Sequence, residues 1–174
     1  MNGAESHAQS KKNLARLVEA FAKFAQKFPD YKLILAGKRG VGFEKILKKV
    51  DELELMHKVI MPGYITEEEK VALYQHCKIF AFVSLYEGFG LPILEAFHYE
   101  RPVICSNVSC MPEIAGKAAH FVDPYDVDKI AQALEILADD EKYRLQLTSL
   151  GKERLKLFSW KTAARETLKV LKNQ

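Results

Sequence analysis

The sequence predicts an α/β fold in which helices cover both faces of a parallel sheet. Three observations predict it. Short apolar runs rich in branched and aromatic residues recur along the chain, as at Lys32–Ala36, Ile79–Val83 and Val103–Cys105. Longer stretches with apolar residues at helical spacing separate them, and that alternation marks strand–helix–strand units. Turns rich in glycine, serine or proline follow the strands, and a parallel sheet gathers such turns along one edge, where ligands bind.

Met1–Ser10 has no hydrophobic period and reads as a flexible terminus. Lys12 and Asn13 precede an amphipathic helix over Asn13–Phe28, with Leu14, Leu17, Val18, Phe21, Phe24 and Ala25 on one stripe. Pro29 ends it, and Lys32–Ala36 is a short buried strand. The glycine-rich turn Gly37–Gly42 leads into a helix near Phe43–Leu55. That turn is no P-loop, because no Gly-Lys-Ser/Thr closes it. Lys58–Met61 is a second strand, closed by Pro62-Gly63. Thr66 with Glu69 three residues later is a capping box, opening a helix over Glu67–His76.

Ile79–Val83 is the next buried strand, and the central run Ser84–Phe97 follows it. Val103–Cys105 is another, trailed by a loop with Ser106, Asn107, Ser109 and Cys110. Met111–Ile114 is a helical turn stopped by Gly116, and Ala119–Val122 a last short strand ending at Asp123-Pro124. The tail is helical over Val127–Ala138, Glu141–Lys156 and Lys161–Leu171, hinged at Phe158-Ser159-Trp160. The turns Gly37–Gly42, Gly63-Tyr64, Ser84–Gly90 and Ser106–Glu113 should therefore line one edge.

With 174 residues, the chain can bury one good core, as one domain over residues 11–174 with a helical extension. A net charge of +3 gives no argument for nucleic acid. No apolar run approaches ~20 residues, so no membrane span is predicted, and Met1–Ser10 lacks the apolar core of a signal peptide. The cysteines Cys77, Cys105 and Cys110 have no metal-type spacing and read as reduced thiols, as in a cytosolic protein, the first two as small core residues. His7, His57, His76, His98 and His120 form no ligand cluster. His98, one turn from Glu95, reads as a partly buried structural histidine. Lys152, Lys156, Lys161, Lys169 and Lys172 give the tail a basic face. Such a face can touch an anionic membrane surface, but a solvated face of a packing helix is the plainer reading.

The chemistry concentrates in SLYEGFGLPILEAF, Ser84–Phe97. Gly88 and Gly90 let the backbone turn sharply and approach a ligand closely. Pro92 suits the first turn of a helix. Strand, glycine turn and helix start together aim unpaired N–H groups and the positive dipole end at an anion such as a phosphate. Glu87 and Glu95 flank this site. Carboxylates do not favour phosphate; they make sense as acceptors for the hydroxyls of a ribose and a hexose attached to it. Singly, each glutamate reads as ordinary surface charge; beside GFGLP, the pair reads as a site.

Glu87-x7-Glu95 around GFGLP resembles the signature of the retaining glycosyltransferases built of two Rossmann-like domains (the GT-B fold, family 4 type). The likeness runs from about Lys12 to about Trp160 and includes KNLARLVEAF, ILAGKRG, PGYI, PVICSNVSCMPEIAG and HFVDPYD. The resemblance implies the C-terminal half of that fold, a Rossmann-like domain binding a nucleotide-sugar donor. It implies backbone contacts from Gly88, Phe89, Gly90 and Leu91 to the distal phosphate and sugar. Glu95 would hold the ribose and Glu87 the transferred sugar. Tyr64-Ile65 would read the base, Lys12 would pair with the diphosphate, and Ser84 and Pro92 would shape the loop. No metal or other cofactor is implied, the nucleotide-sugar being substrate.

Two departures accompany the likeness. The family's donor domain begins with a strand and an arginine-bearing turn, and Met1–Ser10 supplies neither. That strand is central, so its loss should leave ladder groups unpaired or draw its neighbours together. A truncated fragment is the expectation, with a partner chain or another segment in the slot as the alternative. The acceptor-binding N-terminal domain is also absent, so the chain should be inactive alone. Two other functions stay open: a non-catalytic nucleotide-sugar-binding subunit docking on a partner chain, and a sugar-nucleotide epimerase-like enzyme.

Overall fold

A computed structural model of the chain describes residues 12–40 and 42–172; the expected flexible stretch Met1–Ser10 lies outside them. Helix α1 (Leu14–Lys27) is followed by β1 (Leu33–Ala36), α2 (Phe43–Glu52), β2 (Val59–Gly63) and α3 (Glu67–His76). Then come β3 (Phe80–Phe82), α4 (Leu91–His98), β4 (Val103–Ser106), α5 (Met111–Ala115) and β5 (Ala119–Val122). Three helices close the chain: α6 (Val127–Asp139), α7 (Glu141–Leu155) and α8 (Trp160–Lys172).

All strand pairs among the described residues are parallel, as the alternation of elements requires, but there they form two sheets rather than one. β1 pairs with β2, with Leu33 opposite Val59 and Ile34 opposite Ile60. β4 lies between β3 and β5, with Phe80 opposite Val103 and Ile104 opposite His120. The break falls between β1 and β3. Their entry ends meet, since the Lys78 ammonium sits 5.2 Å from the Tyr31 ring centroid. No ladder among the described residues joins the two strands. Among the described residues, β1 pairs with β2 alone and β3 with β4 alone.

Helix α1 holds the halves together. Leu17, Val18, Phe21, Phe24 and Ala25 are buried along its one apolar stripe. They share a core with Val59 of β2, Ile104 of β4, Val122 of β5 and Leu134 and Leu137 of α6. Burial of each such large side chain stabilises by about 1.5–3 kcal/mol, which ties the two sheets to one shared core. A second core gathers Tyr74, Ile93, Phe97, Val103, Cys105 and Met111 on the opposite side of β4, so β4 is buried along its length. Helix α7 packs closely on α4: a Cβ added at Gly151 would lie 2.6 Å from Cδ1 of Phe97.

Several expectations need correction. Lys32–Ala36 is not a buried strand, because the face of β1 and β2 turned away from α1 is uncovered and leaves Ile34 43% and Ile60 42% exposed. β2 continues through Pro62-Gly63 rather than stopping at Met61. His98 is exposed, set edge-on to the Tyr99 ring at 4.8 Å. Cys77, expected in the core with Cys105, is only half-buried, its thiol donating to the Tyr74 carbonyl at 3.5 Å, whereas Cys105 is buried, which pushes its thiol up to about 12. No helix among the described residues is long and apolar enough to cross a membrane.

Candidate functional site

The site is built at the end of β3. Val83 and Ser84 are each 2% exposed, and both the carbonyl and the hydroxyl of Ser84 have partners. Its carbonyl accepts a 2.6 Å hydrogen bond from the fully buried Ser106 hydroxyl. Its own hydroxyl donates to Oε1 of Glu87 at 2.8 Å. The Glu87 backbone is held in turn by the loop after β4. Its N–H donates to Oγ of Ser109 at 3.3 Å, and its carbonyl accepts from Oγ of Ser109 at 3.0 Å and from Sγ of Cys110 at 3.3 Å. Ser109 makes this return contact from a left-handed backbone, φ 59°. The loop and the Glu87 carboxylate are therefore preset by the protein.

Gly90 caps α4 from φ 96°, a conformation that glycine adopts without strain. No side chain caps the helix. Pro92 has no N–H and the Ile93 N–H donates to the Gly90 carbonyl at 3.0 Å, so of the first three helical positions Leu91 keeps its N–H for water or a ligand. At Gly88 an added Cβ would meet nothing within 4 Å, so the approach to the turn is open. Phe89 and Leu91 are 46% and 48% exposed beside it. The Phe89 ring meets that of Phe158 edge-on at 6.1 Å, linking the turn to the hinge before α8.

One turn into α4, Glu95 is bracketed by two residues of α3. The Tyr74 hydroxyl donates to its Oε2 at 2.9 Å and Lys70 Nζ to its Oε1 at 3.3 Å. Burial and the neighbouring Glu95 charge push the Tyr74 phenol well above its ordinary range. Its salt link to Glu67 at 2.8 Å, followed by its contact with Glu95, raises the Lys70 pKa against partial desolvation. Helix α3 is itself pinned by the expected capping box. Thr66 N–H donates to Oε2 of Glu69 at 2.7 Å, and Glu69 N–H to Oγ1 of Thr66 at 3.2 Å.

Lys12 is exposed at the N-terminal end of α1. The next residue, Asn13, is 5% exposed and left-handed, φ 58°. Its amide donates to the carbonyls of Val83 at 3.0 Å and Pro124 at 2.6 Å, while its oxygen accepts from Arg16 at 3.0 Å. Asn13 therefore sets the start of α1, and Lys12 with it, against the strand end that launches Ser84–Gly90. Tyr64 is 74% exposed after β2, with Lys38 5.5 Å from its ring centroid, and Ile65 is half-buried. Gly37 N–H donates to the Gly63 carbonyl at 2.8 Å.

The four expected edge turns thus pair up, one pair on each sheet. Gly37 and Gly63-Tyr64 belong to β1–β2, and Ser84–Gly90 and Ser106–Cys110 to β3–β4. Ser84, Glu87, Gly88, Phe89, Gly90, Leu91 and Glu95 form one continuous unit. Tyr64 and Ile65 lie just before α3, whose Lys70 and Tyr74 touch Glu95. Surface depressions of 240 and 480 Å³ lie elsewhere, lined by residues such as Lys117 and Arg154 or Glu19 and Lys49. Sequence reasoning missed the roles of Asn13, Lys70, Tyr74, Ser106 and Ser109. The only available signal was a set of polar residues on otherwise apolar stripes or strand ends.

Residues 6–154 match the family model described as glycosyl transferases group 1. The chain belongs to the glycosyl transferases group 1 family. It is similar to O-antigen chain mannosyltransferase B of Escherichia coli, 34% identical over 165 residues, which are 94% of this chain and 43% of that protein. It is likewise similar to the C-terminal domain of LpcC, a glycosyl transferase group 1 family protein from Francisella tularensis. That structure has a TM-score of 0.75 and 27% identity, covering 84% of this chain and 79% of the other. HepE from Anabaena, solved in complex with UDP and glucose, shares the fold, with a TM-score of 0.82 at 21% identity over 94% of this chain and 45% of that one.

The fold of this group 1 chain is the Rossmann-like C-terminal half of a GT-B glycosyltransferase. It spans less than half the length of the curated relatives it matches. Among its described residues, no three His, Cys, Asp or Glu side chains are placed to hold one metal ion.

Proposed function

We propose that residues 11–174 are the donor-binding domain of a retaining glycosyltransferase, holding a nucleotide-diphospho-hexose for transfer to an acceptor. The observation that carries this reading is the preset unit Ser84–Glu95. An uncapped helix start behind an open glycine turn accepts phosphate oxygens, and a fixed carboxylate on either side accepts hydroxyls. The mannosyltransferase among the relatives and the UDP and glucose in the HepE structure support a nucleotide-linked hexose as the donor.

In this reading Glu95 holds the ribose, Glu87 orients the transferred sugar, and Tyr64-Ile65 faces the base. When the glycosidic bond breaks, charge grows on the leaving diphosphate. Lys12 and the α4 start stabilise it without a metal ion, because both present positive charge where it develops. The acceptor wall comes from a second domain or chain, so the chain alone binds donor and transfers nothing. It works in the cytoplasm, where nucleotide-sugars serve as substrates, with its exposed basic α8 free to approach an anionic membrane face.

Calorimetric titration with UDP, GDP and ADP, each beside its hexose conjugate, tests the reading. Binding of one base, tighter with the hexose attached and weakened by Glu95→Ala, is the expected result. No binding of any of the three overturns it.

A further inference from the structure

Of all the polar clusters outside the glycine turn, that of α3 against α4 carries an inference furthest. Glu95 is not a free carboxylate awaiting a ligand. One oxygen accepts from the Tyr74 hydroxyl at 2.9 Å and the other from Lys70 Nζ at 3.3 Å. Tyr74 is itself packed in place: its ring is 5.6 Å from Tyr99 in a stacked arrangement and 5.3 Å from Phe80, and only 8% of the residue is exposed. Glu95 and Lys70 remain partly open, with side chains 38% and 33% exposed, so the carboxylate keeps outward-facing lone pairs.

We infer that Tyr74 and Lys70 are the positioning residues of the donor site, presetting Glu95 as a receptor for a vicinal diol. The inference rests on the donor-site reading above. A carboxylate that must grip two neighbouring hydroxyls needs both oxygens in one plane at one angle, and a free glutamate spends rotamer entropy to reach it. The buried tyrosine fixes that angle through one oxygen. Its phenol keeps its proton, and the Glu95 oxygen at 2.9 Å is a nearer acceptor for it than the Pro92 carbonyl at 3.5 Å. Lys70 has a different task. A bare carboxylate one turn from a diphosphate would repel it, and the Lys70 ammonium, shared between Glu95 at 3.3 Å and the exposed Glu67 at 2.8 Å, offsets part of that repulsion. Tyr74 therefore governs the diol and Lys70 the diphosphate.

The two roles separate experimentally. Affinities of the chain for the ribo and 2′,3′-dideoxy forms of the preferred nucleoside diphosphate are compared in wild type, Tyr74→Phe, Lys70→Met and Glu95→Ala. Phenylalanine keeps the ring packing on Tyr99 and Phe80, so Tyr74→Phe retains the fold. Its ribo-over-dideoxy preference falls about tenfold, the scale of one hydrogen bond to a charged group. Its dideoxy affinity is unchanged, which a merely structural tyrosine would not achieve. Lys70→Met weakens both nucleotides together and flattens the salt dependence. An unchanged preference in Tyr74→Phe, or equal losses for both ligands, overturns the inference alone. A wild type that binds nucleotide but does not distinguish the two sugars overturns the role of Glu95, and the inference with it. A wild type that binds neither overturns the donor-site reading first.

Discussion

The side-chain amide of Asn13 donates a 3.0 Å hydrogen bond to the carbonyl of Val83, 70 residues away in the chain. A second, to Pro124 at 2.6 Å, ties the same amide to the exit of β5. Both carbonyls sit at strand ends, where the ladder has run out of partners. Asn13→Asp replaces the donor with an oxygen that repels both, whereas Asn13→Gly keeps the left-handed backbone and only deletes the bonds. Leaving a buried acceptor unpaired costs about 1–3 kcal/mol each. Urea denaturation should therefore rank wild type above Asn13→Gly, and Asn13→Gly above Asn13→Asp.

The two glycines of the turn should respond differently to the same side chain. At Gly88 an added Cβ meets nothing within 4 Å, and the backbone is not left-handed. Gly88→Val should keep the melting temperature within a few degrees while removing nucleotide binding, because the new methyls occupy the ligand's approach. Gly90 has φ +96° and Cδ1 of Ile93 only 3.4 Å from an added Cβ. Gly90→Val should lose stability as well, by about 1–3 kcal/mol of backbone strain. Thermal melts and nucleotide titration of both variants check this, and equal stability in the two would contradict it.

The sequence carried what depends on neighbours along the chain. Thr66 and Glu69 announced the α3 cap, and both its hydrogen bonds are made. Gly88, Gly90 and Pro92 announced the turn and the helix start. What the sequence did not carry depends on partners distant along the chain. Tyr74 reads as one more apolar residue of α3, and nothing local says that its hydroxyl meets Glu95. Ile34 reads as a core residue because its strand is apolar on both sides. It is exposed because no element among the described residues covers that face, a fact about the rest of the fold. The expectation of one continuous sheet came from the alternation of elements, which is blind to whether the central slot is filled.

His120 offers a pH test of the packing between β5 and α7. Its Nδ1 lies 3.2 Å from the Tyr143 hydroxyl, and burial lowers its pKa below the ordinary 6.5. The folded chain therefore binds a proton there less readily than the unfolded chain does. Below the unfolded pKa of about 6.5, the unfolded state takes up the extra proton. The stabilisation is complete above that value and is lost as pH falls through the folded pKa. Urea midpoints should drop between pH 7.5 and 5.5, and the drop should shrink in His120→Gln. A drop of the same size in that variant would place its origin elsewhere.

The open edges between β1 and β3 should be visible in amide exchange. Leu33 N–H donates to the Lys58 carbonyl at 3.0 Å, and Phe80 N–H to the Pro102 carbonyl at 3.0 Å. Successive amides of a strand point to opposite sides, so the N–H groups of Ile34 and Ala81 are directed away from β2 and β4, towards the break. Leu33 and Phe80 exchange only when their ladders open, while Ile34 and Ala81 have no ladder to break among the described residues. Residue-resolved hydrogen exchange should show Ile34 and Ala81 exchanging at least tenfold faster than Leu33 and Phe80, as expected when about 1.4 kcal/mol or more of protection is missing. Equal protection of the four amides would mean that an extended segment already occupies the slot and pairs with both edges.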